Sequence, residues 1–497
     1  MGNALDRIGG YESPEQQQSS QIDDLTESSS SRGRKRKSGG KEAETSPSKK
    51  ISKLDTAKYV YEKLFLKGEG SDIVLNALGK SWNLHKLYLQ QCKYFEAIIS
   101  GNWKESKAGV LNLDINDPNV TLEGLESVLA SLYHNEIEID MDKIEGTLSA
   151  ACLLQLDSVI LRCEENMIET LNVSNVLRFY EISMTYGLLK LENLARSCLL
   201  RAFWKFMKDV NMIKGLSEKL FITLLASSDL LIVEGELDLY RAVKLWIYVQ
   251  ENDEVDIDES TRNETMRRFF QTRPENEMFV KYSRLFAALR LHNILTLSTN
   301  MKILEDDRLF PRQLLTSMYA DQWKNMIMNE EEPYAVNEIT EDQFNVCAIR
   351  AGRQIDTIEK AWRWTGYNHG TDILININSY QHSYCSSLSI RRNYSTKTPY
   401  ALNNKPNRMV HFRVRLCDSN DHQFFDSGKR KELLNPDQSK IVCQIPPGII
   451  LPISVHVQYL TISPPDPTFL YVNRFIYDNM IKNKPNEAQK IKEYLTK

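Results

Sequence analysis

Side chains that could carry out bond chemistry are present in this sequence, but their spacing matches none of the familiar catalytic motifs. The chain contains no phosphate-binding glycine loop, no G-x-G-x-x-G, no H-E-x-x-H and no G-x-S-x-G. His134-Asn135-Glu136 matches the first half of a zinc-deaminase signature, but the P-C-x-x-C that would complete it is missing. We therefore interpret His134 as a residue at a helix end or on the surface.

The cysteines and histidines do not form a metal-binding pattern either. Eight cysteines and eight histidines are scattered over the 497 residues, and no C-x-x-C pair occurs. So few cysteines also argue against a disulfide-dense secreted fold. The sequence predicts no catalytic residue, no metal and no cofactor, so an enzyme is the least favoured of the functions considered.

Length and composition indicate a chain of several ordinary domains. At roughly 150 residues per domain the prior is three domains, and 42% apolar and 26% charged residues are typical of globular proteins. The N-terminus lacks the apolar core of a secretory signal. The two longest apolar stretches, Phe221–Val233 and Gly448–Leu460, are shorter than the roughly 18 residues that span a bilayer. We expect an intracellular protein that is soluble or only peripherally attached to a membrane.

The first 53 residues differ in composition from the rest of the chain. They are rich in Gln and Ser and have no periodic apolar face, so we predict a disordered arm over residues 1–53. Residues 32–53 hold nine Lys or Arg against two Glu, although the whole chain carries a net charge of −4. A basic arm on an acidic body indicates that the arm acts separately from the body.

Two basic clusters in this arm suit an importin-type receptor, which binds extended lysines in acidic pockets. The same charges could instead contact nucleic-acid phosphates or merely solvate the arm. Ser46-Pro47 lies between the clusters, and its phosphorylation would reduce the local positive charge. The residues predicted to direct nuclear localisation are Arg34, Lys35, Arg36, Lys37, Lys49, Lys50 and Lys53.

After the arm, the sequence predicts a small α/β unit followed by a long helical region. A helix over 56–67, strands over 72–78 and 81–84, a helix beginning at Lys86 and ending at Gly101, and a strand over 110–113 are expected in this order. Helical periodicity then continues to about residue 328. Residues 251–260 are interpreted as an exposed acidic loop and residues 329–337 as a linker.

The hydrophobic period changes beyond residue 344. Val410, Phe412, Val414 and Leu416 alternate with polar residues, and so do the apolar residues of segment 453–459. Strict alternation is typical of strands with one buried face. We predict a mainly β, sandwich-like domain over 345–465, with a further strand over 372–377, and a tail over 466–497 with a helix over 486–495.

Several segments of the α/β unit resemble a BTB (POZ) domain, to which we assign residues 54–170. The matching segments are Ser71–Val74, Leu84–Leu89, Tyr94-Phe95, Leu125–Tyr133 and Ala150–Leu156. His85 is interpreted as a buried, hydrogen-bonded histidine. The residues assigned to the dimer and the BTB core are Val60, Leu64, Asp72, His85 and Lys86.

The BTB resemblance implies two kinds of contact. Many BTB domains form homodimers through an exchanged N-terminal helix, a role that the helix over 56–66 fits. Many also bind cullin-3 through a hydrophobic-x-Glu motif, for which this chain offers Trp103-Lys104-Glu105; the apolar ring would anchor the contact and the carboxylate would lie at its rim. Alternatively, Trp103 shields the BTB core at a helix end. The residues assigned to the cullin-3 interface are Trp103, Glu105, Tyr94, Phe95 and Tyr133.

The helical region resembles a BACK domain, to which we assign residues 171–330. Val173–Leu177, Tyr186–Leu188, Leu191–Cys198 and above all Leu237–Trp246 carry this resemblance. By residue type alone, Leu239, Val243 and Trp246 indicate only one buried face of a helix. In BTB-BACK proteins this module extends the cullin contact and positions a substrate domain.

The C-terminal region resembles the germ cell-less family, not the usual kelch propeller, which would need roughly 300 residues. Arg350–Arg353 and Trp362–Asn368, together with Ser81–Tyr88 and Ser100–Ser106, carry this resemblance. The Trp-rich segment is either a degron-binding surface or part of the core. The candidate substrate surface comprises Arg363, Tyr367, Asn368 and His369.

These resemblances imply an α+β multidomain fold with an α/β BTB domain, an all-α BACK domain and a C-terminal β domain. The implied function is that of a non-catalytic adaptor of a cullin-3 ubiquitin ligase, with a protein substrate bound by the C-terminal domain and a role in germ-cell development. The alternative is a BTB scaffold at the nuclear envelope or lamina, or in a transcription complex. Direct binding of nucleic acid is not expected, because no zinc fingers are present.

The same resemblance implies a location in the nucleus or at the nuclear envelope, and a cytoplasmic pool is compatible with it. Gly2 could in principle accept a myristoyl group. The motif requires Ser or Thr at position 6, where this chain has Asp6, so we expect no lipid anchor.

Overall fold

The protein is described here by a computed structural model of the chain, in which all described residues belong to one compact unit that begins at Thr56. The described residues are 56–100, 109–134, 139–233, 235–252, 262–274, 277–295, 297–331, 338–356, 361–364, 372–379, 386–393, 407–420 and 422–461. The basic arm, the predicted C-terminal helix over 486–495 and most of the predicted acidic loop therefore lie outside the described part of the chain.

A three-stranded sheet, flanked by helices, forms the first region. Its order is β2-β1-β3, with β1 antiparallel to β2 and parallel to β3. Buried and half-buried residues alternate along β1, as expected for a strand with one face on the core. The strands are β1 (Ile73–Ala77), β2 (Lys80–Leu84) and β3 (Val110–Asn112). The helices are α1 (Thr56–Val60, continued by wider π-helical turns over Tyr61–Leu66), α2 (Lys86–Leu89), α3 (Lys93–Ser100), α4 (Leu122–Ser131), α5 (Ile144–Leu154) and α6 (Asp157–Glu169).

Two local details differ from the sequence-based prediction. The hairpin turn consists of Leu78 and Gly79, whose φ angles of 48° and 77° are those of a two-residue turn that follows the twist of the strands.

The helix expected from Lys86 to Gly101 is interrupted between α2 and α3. The interruption places Cys92 in the core, where its Sγ donates to the carbonyl of Leu154.

The second region is entirely helical and has its own large apolar core. Its α-helices are α7 (Val176–Tyr186), α8 (Leu189–Arg201), α9 (Phe203–Phe206), α10 (Val210–Gly215), α11 (Glu218–Ala226), α12 (Glu236–Gln250), α13 (Arg262–Gln271), α14 (Glu277–Lys281), α15 (Ser283–Ala287), α16 (Ser298–Asp307) and α17 (Arg312–Glu331). A 3-10 turn over Leu291–Asn293 lies between α15 and α16. Because α17 extends to Glu331, the linker predicted to begin at residue 329 is helical over its first residues.

Helix α12 lies at the centre of this helical core. Leu239, Val243 and Trp246 are buried as expected, but neighbouring residues on the other faces of the helix are buried too. A helix that is buried all round must satisfy its polar side chains internally. Lys244 does so through an ion pair with Asp307 at 2.6 Å, and the Trp246 indole donates to the carbonyl of Leu216 at 2.9 Å.

The third region is a two-layer β structure that follows a short helix, α18 (Glu341–Cys347). Its strands are β4 (Ile349–Ile355), β5 (Ala361–Trp364), β6 (Asp372–Ser379), β7 (Ser386–Asn393), β8 (Arg408–Cys417), β9 (Gln423–Asp426), β10 (Arg430–Leu434), β11 (Lys440–Ile445) and β12 (Ile453–Leu460). One sheet has the order β10-β8-β12-β4 with β9 beside β8, and the other has the order β11-β7-β6-β5.

Apolar residues from both sheets share one core, which confirms the prediction of a mainly β, sandwich-like domain. Val410, Phe412, Val414 and Leu416 of β8 are buried there with Ile390 of β7 from the other sheet. Alternate residues of a strand point to opposite faces, so the apolar half of the alternating pattern fills the space between the layers.

The opposite face of the first sheet corrects the prediction that only one face is buried. His411 and Arg415 of β8 are 1% and 4% exposed, and His456 and Gln458 of β12 are nearly as buried. These polar residues alternate with apolar ones, as solvent-facing residues would. Arg415 and Gln458 are buried because the segment between α11 and α12 of the helical region covers this part of the face and accepts their hydrogen bonds.

Candidate partner-binding site

A continuous row of aromatic rings joins the N-terminal helix to the centre of the first region. We call Tyr61, Phe65, Tyr133 and Tyr88 the aromatic row. Neighbouring ring centroids are 5.6 Å apart from Tyr61 to Phe65, 5.3 Å from Phe65 to Tyr133 and 4.3 Å from Tyr133 to Tyr88. Such contacts add to the stability gained from burying the rings. The row thus joins the helix over Thr56–Leu66 and α2 to Tyr133, which follows the end of α4.

His85 and Tyr133 are linked by reciprocal hydrogen bonds. The Tyr133 hydroxyl accepts the backbone N–H of His85 at 2.8 Å and lies 3.2 Å from Nδ1 of the same residue. Nε2 of His85 lies 3.0 Å from the carbonyl of Glu69, so this nitrogen carries a proton and Nδ1 accepts the Tyr133 hydroxyl proton. Burial raises the pKa of Tyr133 to about 12, which keeps the hydroxyl protonated. The imidazole is hydrogen-bonded as expected but half-buried, not fully buried.

Asp72 and Lys86 hold α2 in place. Asp72 is exposed, and its Oδ1 accepts the backbone N–H of Lys86, the first residue of α2, at 2.8 Å. A carboxylate at this position satisfies an N–H that has no partner within the helix and favours the helix dipole. In this chain Asp72 therefore organises the surface that α2 presents.

Two residues assigned to a cullin-3 interface lie in the core, which corrects that assignment. Phe95 is fully buried and Tyr133 is 5% exposed, so neither side chain can contact a partner in this conformation. Both belong to the segments that carry the BTB resemblance, and aromatic residues are enriched in cores as well as at interfaces. Tyr94 is half-buried on α3. Trp103 and Glu105 follow Ser100, the last residue of α3, and lie outside the described residues.

The residues assigned to the dimer lie at the edge of the first region. Val60 and Leu64 are half-buried and pack against its core. Beside them in sequence, Tyr59 and Leu66 are each 59% exposed, and Leu87 on α2 is 76% exposed. We call Tyr59, Leu66 and Leu87 the apolar surface residues. Large apolar side chains exposed on two elements joined by the aromatic row are suited to bind another protein.

Polar contacts fix the first region to the helical one. The Tyr186 hydroxyl donates to Asp117 Oδ2 at 3.1 Å and accepts from the side-chain amide of Asn119 at 3.0 Å. The buried carboxylate of Glu164 accepts the backbone N–H of Leu191 at 3.2 Å. Hydrogen bonds of this kind each contribute about 0.5–1.5 kcal/mol to the contact between the two regions.

A buried ion pair fixes the helical region to the β domain. Arg350 in β4 donates from Nε and Nη2 to the two carboxylate oxygens of Glu236, the first residue of α12, at 2.8 and 3.0 Å. Its Nη1 also donates to the carbonyls of Leu225 and Ser227 at 2.9 and 2.8 Å. The two side chains are 2% and 0% exposed. Bidentate geometry and the extra carbonyls compensate for the desolvation of both charges.

Further contacts extend this junction. Arg415 binds Asp229 Oδ1 at 2.6 Å and the carbonyl of Ser228 at 2.7 Å, and Gln458 donates to the same carbonyl at 2.9 Å. Gly352 lies so close to the helical region that a Cβ atom there would be 1.8 Å from the carbonyl oxygen of Ile232. We call the contacts of Arg350, Gly352 and Arg415 the BACK–β junction. This junction was not predicted from the sequence, because charged residues that alternate with apolar residues along a strand are expected to face solvent.

The candidate substrate surface is described only in part. Arg363 lies in β5, the last strand in the described order of the second sheet, where it is paired with Leu374 of β6. Tyr367, Asn368 and His369 lie outside the described residues, as do the nuclear-localisation residues, Gly2 and Ser46.

The described side chains give no indication of bond chemistry. Within the described ranges, no group of three or more His, Cys, Asp or Glu side chains is arranged to hold a metal ion. Burial raises the pKa of Cys152 and Cys443 to about 11 and that of Cys163 to about 12, so these thiols are protonated and poor nucleophiles. No described helix is both long enough and apolar enough to cross a membrane.

Comparison with known proteins identifies two of the three regions by family. The model of the BTB/POZ domain matches residues 61–171, and the model described as "BTB And C-terminal Kelch" (BACK) matches residues 176–260. The mouse Kelch-like protein 26 is 26% identical over 181 residues, which is 36% of this chain and 29% of that protein.

Two further relatives are similar over most of their length. The human Germ cell-less protein-like 1 is 32% identical over 427 residues, covering 82% of this chain and 81% of that protein. The Drosophila melanogaster Protein germ cell-less is 24% identical over 463 residues, covering 86% of this chain and 80% of that protein. Because the aligned length far exceeds the BTB and BACK matches, the similarity includes the β domain, and the chain belongs to the germ cell-less family.

Proposed function

We propose that this chain is a non-catalytic, substrate-specific adaptor of a cullin-3 ubiquitin ligase with a role in germ-cell development. The observation that carries the proposal is the fixed attachment of a β domain to a BTB-BACK unit through the BACK–β junction. A ligase adaptor must hold a target at a defined position relative to the cullin. Rigid attachment through a buried ion pair meets this requirement, whereas a flexible linker would not.

The BTB domain is the proposed cullin-3 contact. Trp103 and Glu105 directly follow α3 in the sequence and offer an apolar anchor with an anionic neighbour. Tyr94, half-buried on α3, is a further residue proposed for this contact. The sequence similarity to a Kelch-like protein spans 181 residues, a length close to that of the BTB and BACK matches together, and supports a shared role of these two domains.

The BTB domain is also the proposed site of self-association. The apolar surface residues lie on the helix over Thr56–Leu66 and on α2, and a second copy would cover them. A dimer would present two cullin-binding and two substrate-binding sites. Two tethered sites raise the effective concentration of a substrate at the ligase.

The β domain is the proposed substrate receptor, with Arg363, Tyr367, Asn368 and His369 as the candidate contact surface. We further propose that an importin-type receptor binds the basic arm and that the protein acts in the nucleus or at the nuclear envelope, where lamina proteins are potential partners. These assignments rest on the sequence and on the family relationship.

A scaffold without ligase activity is the second candidate. The apolar surface residues favour it, because self-association alone would support a scaffold at the nuclear envelope or in a transcription complex. The two functions differ in one consequence. Only the adaptor lowers the abundance of its partner proteins through the proteasome.

Quantitative proteomics in cells tests the proposal. Cells expressing wild-type protein would be compared with cells expressing Trp103→Ala/Glu105→Ala, with and without proteasome inhibition. Trp323→Ala, which removes a tryptophan that is 59% exposed in the BACK region, is the matched control. The adaptor predicts proteins that accumulate both in the double variant and under inhibition, but not in the control. An unchanged proteome with normal nuclear localisation would favour the scaffold.

A further inference from the structure

A cavity of about 620 Å³ opens between α13, α16 and α17, and its lining shares no residue with the aromatic row or the BACK–β junction. Its charged lining consists of Arg273, Arg308, Arg312 and Glu305, and Phe310 and Leu315 contribute buried apolar surface. The lining is therefore strongly basic, although the chain as a whole carries a net charge of −4. A concentration of positive charge in a concave site of an acidic protein indicates an anionic ligand.

The carboxylate in the cavity forms no ion pair with the arginines among the described contacts; it accepts a hydrogen bond from a tyrosine instead. Oε1 of Glu305 accepts the hydroxyl of Tyr319 at 2.9 Å, and burial raises the pKa of Tyr319 to about 12, so this phenol remains a donor. No hydrogen bond or ion pair within the described part of the chain involves the guanidinium groups of Arg273, Arg308 or Arg312. Three guanidinium groups thus keep their donors available to a ligand.

Arg273 is held in position by an aromatic ring. Its guanidinium carbon lies 3.9 Å from the centroid of Phe269, and its Nε is buried and donates to no described atom. Arg273 has an electrostatic interaction with Glu251, but no described hydrogen bond joins the two side chains. The Glu251 carboxylate accepts its hydrogen bonds from Lys281 and Tyr282. Stacking fixes the plane of the guanidinium, and the buried Nε–H favours a ligand that accepts it.

Arg308 adopts a backbone conformation that its side chain does not favour. Its φ of 54° places it in the left-handed region at the C-terminal end of α16, where glycine is the usual residue. Strained residues of this kind are concentrated at ligand sites, where the strain directs a side chain. The sequence thus keeps an arginine in the cavity at a position whose backbone favours glycine.

From this geometry we propose that the cavity binds a phosphorylated serine or threonine side chain in a peptide segment of a partner protein. All three cations are arginines, whose planar donor groups match phosphate oxygens in pairs, and none is a lysine. A phosphoryl group carries about −2 charges and three acceptor oxygens, so it can pair with three guanidinium groups at once. A single carboxylate has half that charge and only two acceptor oxygens. The volume exceeds that of a phosphate alone, and the apolar residues suit the flanking peptide. The proposal does not depend on cullin-3 binding.

Fluorescence anisotropy with the full-length chain tests this site. The probe is a labelled mixture of nonapeptides with a fixed central phosphoserine and random flanking residues, compared with otherwise identical mixtures that have serine or glutamate at the centre. We expect saturable binding of the phosphoserine mixture, with at least about tenfold weaker binding of the other two. Equal binding of the glutamate mixture, or no saturable binding of the phosphoserine mixture, would overturn the proposal.

Arg308→Gly separates loss of binding from loss of folding. Glycine relieves the positive φ, so this variant should be at least as resistant to thermal unfolding as wild type, yet bind the phosphoserine mixture at least about tenfold more weakly. Arg273→Gln should weaken binding similarly. Lys302→Gln, on the same helix as Glu305 but not in the cavity lining, is the matched control with unchanged binding. Wild-type affinity in Arg308→Gly would overturn the assignment of the cavity.

Discussion

Arg350 and Glu236 are 114 positions apart in the sequence, yet the guanidinium of one donates to both carboxylate oxygens of the other at 2.8 and 3.0 Å. The pair joins the first β-strand of the C-terminal domain to the first turn of the central BACK helix. Both side chains are excluded from water. Because an unpaired charge could not remain buried there, the two domains behave as a single unit.

The first prediction concerns this pair. Arg350→Ala leaves the Glu236 carboxylate buried without its partner, so we expect the free energy of unfolding to fall by about 3–5 kcal/mol. Urea denaturation followed by circular dichroism measures this change. The double variant Arg350→Met/Glu236→Leu removes both charges and should be clearly more stable than Arg350→Ala. A double variant as unstable as the single one would show that the ion pair does not determine the junction.

A second prediction concerns the close approach of the backbones at Gly352. Gly352→Ala places a methyl group 1.8 Å from the carbonyl oxygen of Ile232, so the β domain must shift away from the BACK domain. We expect a loss of about 3 kcal/mol or more in the free energy of unfolding. Gly215→Ala is the control, since the nearest atom to its new Cβ is 3.5 Å away. Equal stability of the two variants would contradict the observed proximity.

The third prediction concerns the hydroxyl that joins Tyr133 to His85. Tyr133→Phe keeps the ring in the aromatic row but leaves the backbone N–H of His85 without its acceptor. The expected cost is about 1–3 kcal/mol, measured as a lower free energy of unfolding in urea. Tyr59→Phe, at an exposed ring, should cost less than about 0.5 kcal/mol. If both variants matched wild type, the hydrogen bond would contribute nothing to BTB stability.

A fourth prediction concerns the pH dependence of stability. Burial lowers the pKa of His456 to about 3, with Arg415 adding a smaller effect in the same direction. The unfolded chain, with an ordinary histidine pKa near 6.5, binds a proton between pH 6.5 and 3 that the folded chain does not bind. Stability should therefore fall as pH decreases through this window, by up to about 1.4 kcal/mol per pH unit for this residue.

Comparing wild type with His456→Gln isolates that contribution. The variant retains His292, whose pKa burial also lowers to about 3, so the difference between the two unfolding profiles reports His456 alone. We expect the variant to gain stability relative to wild type as pH falls from 7 to 5. Val457→Ala on the same strand should lower stability equally at all pH values. Parallel profiles for wild type and His456→Gln would contradict a buried, neutral imidazole.

The sequence predicted those parts of the fold that depend on local pattern. The alternation in β8 and β12 and the helical period around Leu239 identified a β sandwich and a buried helix. Both follow from the periods of 2 and 3.6 residues. The break between α2 and α3 was not predicted; Cys92, which lies in it, contacts Leu154, and local pattern does not reveal a contact more than 60 residues away.

Burial of polar residues could not be predicted from local pattern. Arg350, Arg415 and His456 occupy positions that would face solvent in an isolated sandwich. Their burial results from contacts with residues 225–236, which are remote in sequence. The burial of Phe95 and Tyr133 was not predicted either, since residue type alone does not distinguish a buried aromatic ring from an exposed one.

The most direct test of the account is a calorimetric titration of the full-length chain with the N-terminal part of cullin-3. Wild type, Trp103→Ala/Glu105→Ala and the control Trp323→Ala would be measured together, with light scattering to determine size. We predict saturable binding of one cullin-3 per chain of a dimer, unchanged in the control and weakened at least about thirtyfold in the double variant. Absence of binding by folded wild-type protein, or wild-type affinity in the double variant, would contradict the assignment of this chain as an adaptor that uses that surface.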